Sequence, residues 1–428
     1  MFRLPCCLLF FSFFVSSVLF SQERAYRKII TQEVQFLAER ADPAVADKRA
    51  QIAQFSDSVA PHLEFRHLTL PIVFHVFPSP SGQPLVSEED VHFQLAALNR
   101  DFGIAEVASD TIFPVEAAFT ELRAGLDISF CTPGPELFPL PLSGIHVVET
   151  EQYFWPADHS VQTAELGGIS PWKPAQLINV WVVDLEGESS GFAQMPGGSP
   201  ATDGIVIDYQ FFGYGDHVHP SYSEGKTLTH LMGNYLNLHD LWGASVGCSD
   251  DKVGDTPIHN GPNYGCPLYK HVSTCQGYQL EMTHNFMDNT DDICMNMFTL
   301  GQKKRVHALF QEGGARETLI RDGASSCLPY LQVDDEATSP LVKEDEYDFQ
   351  VFPNPANTVF TLRLIRMQNI SLDIKVYSSV GALMYEAESA SLTENGEYRI
   401  SCEKWPAGMY VLHLSFNGSM RSTQLIIQ

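Results

Sequence analysis

Three residues with metal-ligand chemistry are spaced along Thr229 to Gly243 in the pattern of a zinc-binding helix. His230, Asn234 and Asp240 stand where the motif H-E-x-x-H-x-x-G-x-x-H has its three histidines. In that motif two histidines four residues apart share one helical face, and the third closes a tetrahedral zinc site after a turn. Leu231 stands where the motif has Glu, the general base for the zinc-bound water. The spacing of a hydrolytic zinc site is present, but most of its reactive groups are replaced.

The substitutions differ in severity. Asn234 offers a neutral amide, which is a poor zinc ligand, whereas Asp240 can serve as a third ligand. Leu231 can neither accept a proton from water nor return one to a leaving group, and loss of a general base costs on the order of 10²–10⁴ in rate. For His230 there is an alternative, a histidine retained because the fold packs around it. We therefore expect zinc to bind weakly or not at all.

A helix must position these side chains. The pattern predicts one from Glu224 to Leu238, with Ser223 as N-cap and Leu228, Met232, Tyr235 and Leu236 as its buried stripe. Asn237 stands at the Gly position of the motif and tolerates the left-handed backbone expected there. The turn can therefore form without glycine.

Strands and one further helix are predicted before this helix. Val86 to Phe102 is an amphipathic helix with Ser87 as N-cap. Five segments are rich in apolar and β-branched residues, and we predict each of them to be a strand. They are Leu68 to Phe77, Leu126 to Cys131, Ile145 to Glu149, Ile178 to Val183 and Asp203 to Tyr209. The segment Ile178 to Val183 is continuously apolar, which favours a central strand buried on both faces.

A downstream block carries a specific family resemblance. Thr283 to Gln302 reads T-H-N-F-M-D-N-T-D-D-I-C-M-N-M-F-T-L-G-Q. With V-G-D-T-P (Val253 to Pro257) and G-F-A-Q-M-P-G-G (Gly191 to Gly198), it resembles the pappalysin family of metzincin proteases, in its secreted bacterial branch. The resemblance covers roughly residues 68 to 310. It implies an α+β metzincin-like fold, with a twisted sheet, an active-site helix and a Met-turn at Met287.

The same resemblance implies roles for other residues. It places the strand Asp203 to Tyr209 along the substrate cleft and puts Asn289 where the family has a Tyr that stabilises the transition state. It also implies zinc as the family's cofactor. His217, His219, His239 and His284 are candidates to replace lost ligands; His239 should face away, because nine residues of helix separate it from His230. The simpler interpretation is a degenerate protease domain.

Cysteines and acidic residues cluster after the helix. Seven cysteines remain if residues 1–21 are removed as a signal peptide, so at least one lacks a partner within the chain. The resemblance implies the disulfides Cys248–Cys275 and Cys266–Cys294, and it leaves the pairing of Cys131, Cys327 and Cys402 open. It also makes Asp250 and Asp251 candidates for a calcium site. The alternative is a solvated acidic loop.

Composition changes near both ends of the chain. Residues 1–21 predict a signal peptide, since the apolar run Leu8 to Phe20 is shorter than the ~20 residues that span a membrane. Residues 22–66 predict two short helices of a pro-segment-like region, without cysteine. Residues 67–312 form the protease-like domain and 313–346 a linker. Residues 347–428 carry P-N-P, V-Y-x-x-x-G and P-A-G-M-Y in order, and they resemble the C-terminal sorting domain of type IX secretion substrates, a small β-sandwich.

Charge and export restrict the partners. The chain has 26 basic and 52 acidic residues and a net charge of −26, which disfavours nucleic acid. No segment after residues 1–21 predicts a membrane span. The expected partners are the type IX secretion machinery and an extracellular peptide or protein ligand. We expect the protein to be located in the extracellular space or on the bacterial cell surface.

Three functions are consistent with these patterns. The first is a catalytically inactive homologue that retains the peptide-binding cleft. The second is an active zinc metalloendopeptidase with atypical ligands that hydrolyses extracellular proteins. The third is a structural carrier on the cell surface. Because ligand, base and stabilising Tyr are replaced together, the first is favoured.

Overall fold

The computed structural model describes residues 26–103, 116–133, 144–243, 247–267, 270–275, 277–320, 348–365, 372–378, 383–390, 392–393, 397–416 and 419–427. The predicted signal peptide and most of the predicted linker lie outside these residues. Two regions are described, a mixed α/β domain that includes the N-terminal segment and a C-terminal β-sandwich. They confirm the α+β class.

The described elements follow in chain order. The helices are α1 (Thr31–Ala41), α2 (Pro43–Val59), α3 (Glu88–Phe102), α4 (Lys226–Tyr235) and α5 (Leu300–Ala308). The strands of the first domain are β1 (Leu68–Val76), β2 (Arg123–Ala124), β3 (Ile128–Cys131), β4 (Ile145–Val147), β5 (Phe154–Trp155), β6 (Ile178–Leu185), β7 (Gly191–Ala193), β8 (Ile205–Asp208) and β9 (Phe298–Thr299). The sandwich strands are β10 (Asp348–Phe352), β11 (Val359–Ile365), β12 (Leu372–Ser378), β13 (Leu383–Ala390), β14 (Glu397–Ser401), β15 (Gly408–Phe416) and β16 (Ser419–Ile427).

The main sheet has the order β3-β1-β6-β8-β7, with β4 also paired to β1 and β5 to β6. All its pairs are parallel except that of β7 with β8. β6 is central and almost wholly buried, as its continuous apolar sequence predicts. The expectation that the strand Asp203 to Tyr209 lines the cleft is wrong, because β8 is paired on both sides and β7 is the edge. β7 has only three residues and begins with a glycine, so the sequence pattern did not predict it as a strand.

Helix α3 begins as its sequence predicts. The Ser87 hydroxyl accepts from the Asp90 amide, and the Asp90 carboxylate accepts from the Ser87 amide. This reciprocal capping satisfies two backbone donors that have no partner inside the helix.

Helix α4 begins two residues later than predicted and has a different cap. Gly225 occupies the N-cap position with a φ of 80°, and Ser223 does not cap the helix. Instead, Asp292 Oδ2 accepts from the amides of Glu224 and Lys226 at 3.0 Å each. A carboxylate at a helix N-terminus is favoured by the helix dipole as well as by these bonds. Because Asp292 lies 66 residues further along the chain than Lys226, local sequence could not reveal it.

The far end of α4 and the Met-turn support each other. Asn237 adopts a φ of 71°, the left-handed conformation expected at this position. Its carbonyl accepts from Arg305 Nε of α5 at 2.6 Å. Met287 lies directly beneath Gly233, where a Cβ atom would collide with the methionine sulfur. The Met-turn therefore packs against the helix that carries His230.

The C-terminal residues form two packed antiparallel sheets, β10-β11-β14 and β13-β12-β15-β16. Phe360 of the first sheet and Ile374, Leu412 and Leu414 of the second belong to the core between them. Cys402 is buried in this core as a free thiol. The arrangement is the β-sandwich predicted from the sequence.

A buried histidine on β1 faces a second histidine on β4. His75 Nε2 lies 3.0 Å from Asn179 Oδ1, an oxygen that also accepts from the Trp172 amide. The Nε2 atom must therefore carry the proton, and His75 Nδ1 accepts from His146 Nδ1 at 3.1 Å. Burial lowers the pKa of His75 to about 3. The folded chain consequently favours the neutral ring.

Because His75 resists protonation in the folded chain, we expect the protein to lose stability in acid. The unfolded chain takes up a proton near the ordinary pKa of 6.5, whereas the folded chain resists it down to about 3. The stabilisation is complete above 6.5 and is lost as pH falls through this window, at about 1.4 kcal/mol per pH unit. Urea unfolding between about pH 4 and 7 should show this slope in the wild type and a shallower one in His75→Phe. Equal slopes in the wild type and in His75→Phe would contradict the lowered pKa assigned to His75.

Candidate functional site

The three residues at the zinc-ligand positions come together as a closed polar cluster. His230 Nε2 lies 2.9 Å from Asp240 Oδ1, and Asn234 Nδ2 donates to the same oxygen at 3.1 Å. Asn234 Nδ2 also donates to the Leu238 carbonyl at 3.1 Å. His230, Asn234 and Asp240 are all buried, with Asp240 only 2% exposed. The side chains that the motif would direct at a metal therefore bind one another.

Hydrogen-bond chemistry fixes the orientation of this cluster. His230 Nδ1 faces the Asp288 carbonyl at 3.1 Å, which can only accept, so Nδ1 carries a proton. His230 Nε2 is therefore the ring nitrogen that faces Asp240 Oδ1. Turning the Asn234 amide over would point its oxygen at two acceptors, the Leu238 carbonyl and Asp240 Oδ1, so its nitrogen must remain there. Asn234 Oδ1 consequently has no partner in the described part of the chain.

This donor set does not fit catalytic zinc. A catalytic site needs three ligands with available lone pairs and an open fourth position. Here Asn234 directs a donor nitrogen toward the cluster, so His230 Nε2 and Asp240 Oδ1 are the only two atoms of the three side chains with available ligand chemistry, one short of a catalytic site. Within the described residues no group of three or more His, Cys, Asp or Glu is arranged to hold a metal ion.

The general-base position is filled by packed hydrocarbon. Leu231 is fully buried and belongs to the main hydrophobic core. Its Cδ1 would lie 3.0 Å from a Cβ placed on Gly191, so Leu231 packs directly beneath the edge strand β7. Leu231 has no group that can transfer a proton.

The Met-turn supplies a contact that the sequence did not predict. The carbonyl of Asp288, between Met287 and Asn289, holds His230, while its carboxyl accepts from the Asn263 amide and from Asn263 Nδ2, each at 2.9 Å. Burial raises the pKa of Asp288 to about 7. Asn289 itself is only 3% exposed. The partner Asn263 lies 25 residues earlier in the chain, and no local motif signals it.

The other histidines have partners elsewhere. His217 Nε2 contacts the Phe212 carbonyl, His219 accepts from the Ser221 amide, and His284 lies 3.1 Å from Thr283 Oγ1. Burial, with the charges of Arg305, Arg49 and Lys252, lowers the pKa of His239 well below its ordinary value. None of these contacts joins His217, His219 or His284 to His230, Asn234 or Asp240.

The loop-rich half below α4 contains both expected disulfides, Cys248–Cys275 and Cys266–Cys294. Cys131 is also disulfide-bonded.

The candidate calcium residues are engaged within the protein. The Asp251 carboxylate accepts from Thr256 Oγ1 at 2.8 Å and from the Val253 amide, and burial raises its pKa to about 7. Asp250 is exposed and accepts from the Lys252 amide. Calcium at this loop stays a prediction.

The cleft beside β7 is lined by the chain's own N-terminal segment. Ile29 pairs with Gly191 in a parallel bridge, and the Ile30 amide donates to the Gly191 carbonyl at 3.1 Å. Arg27 enters the protein interior beyond this bridge and forms an ion pair with Asp292 at 2.9 Å. The sequence predicted helices in residues 22–66, and α1 and α2 are there, but this extended stretch and its contacts were not foreseen.

Comparisons with known proteins agree with this architecture. A family model for pregnancy-associated plasma protein-A, peptidase M43, matches residues 168–311. A model for the secretion system C-terminal sorting domain matches residues 350–428. An extracellular metalloprotease of Arthroderma otae is 31% identical over 229 residues, which span 46% of this chain and 79% of that relative. The chain spans about half of other curated relatives, such as 49% of an extracellular metalloprotease of Arthroderma benhamiae at 31% identity.

Two solved structures of mirolysin are also similar. A mutant of Tannerella forsythia promirolysin is 30% identical, with a TM-score of 0.62, and the match covers 71% of this chain and all of that one. Mature mirolysin of the same organism, in complex with a cleaved peptide, is 31% identical, with a TM-score of 0.56, and the match covers 62% of this chain and all of that one.

Sheet, active-site helix and Met-turn define the class as a metzincin-type metalloprotease fold followed by a sorting domain. The chain belongs to the pappalysin family of metalloproteases. The sorting domain directs it through type IX secretion to the cell surface or the extracellular space. The described residues include no helix long and apolar enough to cross a membrane.

Proposed function

We propose that the chain is a catalytically inactive member of its family that retains a peptide-binding cleft. The closed cluster of His230, Asn234 and Asp240, beside the hydrocarbon of Leu231, is the observation that carries this proposal. Zinc is the family's cofactor, but only His230 Nε2 and Asp240 Oδ1 offer it ligand atoms, because Asn234 directs a donor nitrogen toward them. The Leu231 side chain cannot take a proton from water.

The edge strand supports the second half of the proposal. β7 is paired with β8 on one side only, so its other side offers backbone donors and acceptors to an extended peptide. Residues Lys28 to Thr31 make such contacts with it. A peptide cleft can thus persist although the chemistry beside it has been lost. The ligand we propose is an extended segment of an extracellular protein.

Metal content and proteolysis test the proposal together. We expect the purified mature protein to contain far less than one zinc per chain by elemental analysis and to leave casein intact, with or without chelator. One zinc per chain with chelator-sensitive cleavage would instead establish the alternative, an active zinc metalloendopeptidase with atypical ligands. Mirolysin assayed in parallel verifies that the conditions support proteolysis.

Peptide binding is the matching test of the cleft. A library of extended peptides should yield saturable binding that a substitution in the edge strand weakens. A chain that binds no peptide after its N-terminal segment has been displaced would favour a purely structural carrier at the cell surface.

A further inference from the structure

Four polar side chains meet on one face of the sheet, at the edge formed by β3. Thr69 of β1 is the register partner of Ser129 of β3, and these two strands run parallel. His67 and Asp127 directly precede the two strands, and hydrogen bonds join all four side chains. The residues that alternate with them are buried, namely Leu68, Leu70, Ile128 and Phe130. Because β3 and β7 lie at opposite ends of the sheet order, this group is separate from the cleft beside β7.

The hydrogen bonds follow the order serine, histidine and carboxylate. His67 Nε2 lies 2.9 Å from Ser129 Oγ, and His67 Nδ1 lies 3.4 Å from Asp127 Oδ1. An ionised carboxylate only accepts, so Nδ1 carries the ring proton and Nε2 presents its lone pair to the Ser129 hydroxyl. The Thr69 hydroxyl, 3.2 Å away, then donates to Ser129 Oγ. This is the arrangement in which an adjacent base activates a serine hydroxyl.

The histidine is accessible, whereas the carboxylate is held by the backbone. The His67 side chain is 54% exposed and that of Asp127 only 18%. Asp127 adopts a φ of 62°, a left-handed conformation that residues other than glycine rarely take. Its carbonyl accepts from the Leu68 amide at 3.0 Å, which fixes this backbone beside the histidine. Backbone strain of this kind is often found at functional sites.

A cation and an aromatic ring flank the carboxylate. Lys303 Nζ of α5 lies 3.9 Å from Asp127 Oδ2 and 4.7 Å from the centre of the Phe65 ring. The Phe65 side chain is 38% exposed, so part of its apolar surface is available to a ligand. The substrate class that fits this surrounding is an ester with an aromatic group.

We propose that Ser129, His67 and Asp127 form a metal-independent site that hydrolyses carboxylic esters with an aromatic group. Ser129 is the nucleophile, His67 is the general base and acid, and Asp127 is a positioning residue that orients the ring. The proposal goes beyond the proposed function, because it concerns the other edge of the sheet and needs neither zinc nor peptide binding.

Hydrolysis proceeds through an acyl-serine. As Ser129 Oγ bonds to the ester carbonyl carbon, its proton passes to His67 Nε2. The adduct then breaks its bond to the alcohol oxygen, which takes that proton from His67. Water next adds to the acyl carbon and gives a proton to His67, which returns it to Ser129 Oγ as the bond to the acyl group breaks. The net reaction converts one ester and one water into a carboxylic acid and an alcohol.

Covalent labelling tests the nucleophile. A fluorophosphonate, which loses fluoride to an activated serine, should place one phosphonyl group per chain on the peptide that contains Ser129. Ser129→Ala should abolish this label, and His67→Gln should slow labelling by at least about tenfold. Ser81→Ala is the matched control, because it removes an exposed serine whose hydroxyl pairs with that of Ser79, and it should label as wild type. A Ser129 peptide that stays unlabelled in the wild type would overturn the proposal.

Turnover of p-nitrophenyl acetate by the purified mature protein tests catalysis. Ser129→Ala and Asp127→Asn should each lower kcat by at least about tenfold, with little change in KM for Asp127→Asn. Asn tolerates the same left-handed backbone, and equal urea midpoints verify that the variants are folded. His92→Gln is the control, since it removes an exposed histidine that pairs only with Glu88, at 3.9 Å, among the described carboxylates. Equal rates in wild type and Ser129→Ala, or a rate that chelator abolishes, would overturn the proposal.

Discussion

Replacing Leu231 by Glu, Asn234 by His and Asp240 by His in one chain is expected to create a site for one zinc per chain. The three imidazoles would replace a cluster whose members now bind one another, and they would supply the ligand set that zinc requires. Peptidase activity should recover less than zinc binding, because Asn289 still stands where the family resemblance predicts a Tyr. Loss of one transition-state donor costs on the order of 10²–10³ in rate. Zinc titration and casein cleavage measure the two effects.

Two further variants separate metal binding from catalysis. Asn234→His with Asp240→His alone should bind zinc without cleaving casein, because Leu231 still provides no general base. Adding Asn289→Tyr to the triple variant should raise its activity further. A triple variant that binds no zinc would show that the cleft has changed beyond these positions.

Replacing Asp240 by Ala is expected to destabilise the protein by about 1–3 kcal/mol for each buried polar group that it leaves without a partner. The substitution removes the acceptor for both His230 Nε2 and Asn234 Nδ2, and all three residues are buried. His230 Nε2 would then lose its partner, and Asn234 Nδ2 would keep only its bond to the Leu238 carbonyl. Urea unfolding with chelator present measures the change in the free energy of unfolding.

Asp250→Ala provides the control for this measurement. Asp250 is an exposed carboxylate on the nearby loop, and its loss should change stability by no more than about 0.5 kcal/mol. The wild type should be equally stable with and without a zinc-selective chelator when calcium is kept in excess. If chelator destabilised it strongly, and Asp240→Ala then cost little, a bound metal rather than the polar cluster would be holding the site together.

Several local features were predictable because their causes lie close together in sequence. The capping of α3 by Ser87 and Asp90 involves residues three apart, and Asn237 takes the left-handed conformation that its side chain tolerates. The apolar run of β6 predicted its central place in the sheet. The chemical consequence of Leu231 also follows from its identity alone, since no folding can give a hydrocarbon a titratable proton.

Other features depended on partners distant in sequence. The cap of α4 comes from Asp292, and that carboxylate in turn holds Arg27, 265 residues away. The edge of the sheet is the short β7, whereas the more apolar β8 is interior. Strand order is set by packing of both faces and by crossover connections, and the composition of one strand carries little information about its neighbours.

The amino-acid sequence alone determined the family and the order of the metalloprotease and sorting regions, and it predicted the replacement of base, ligand and stabilising side chain, because each of these rests on residue type at a fixed spacing. Only the tertiary structure decided what the remaining groups do. It turned His230, Asn234 and Asp240 toward one another and placed the N-terminal segment on the edge strand. The physical reason is that buried polar groups must find partners, and folding brings those partners together from distant parts of the chain.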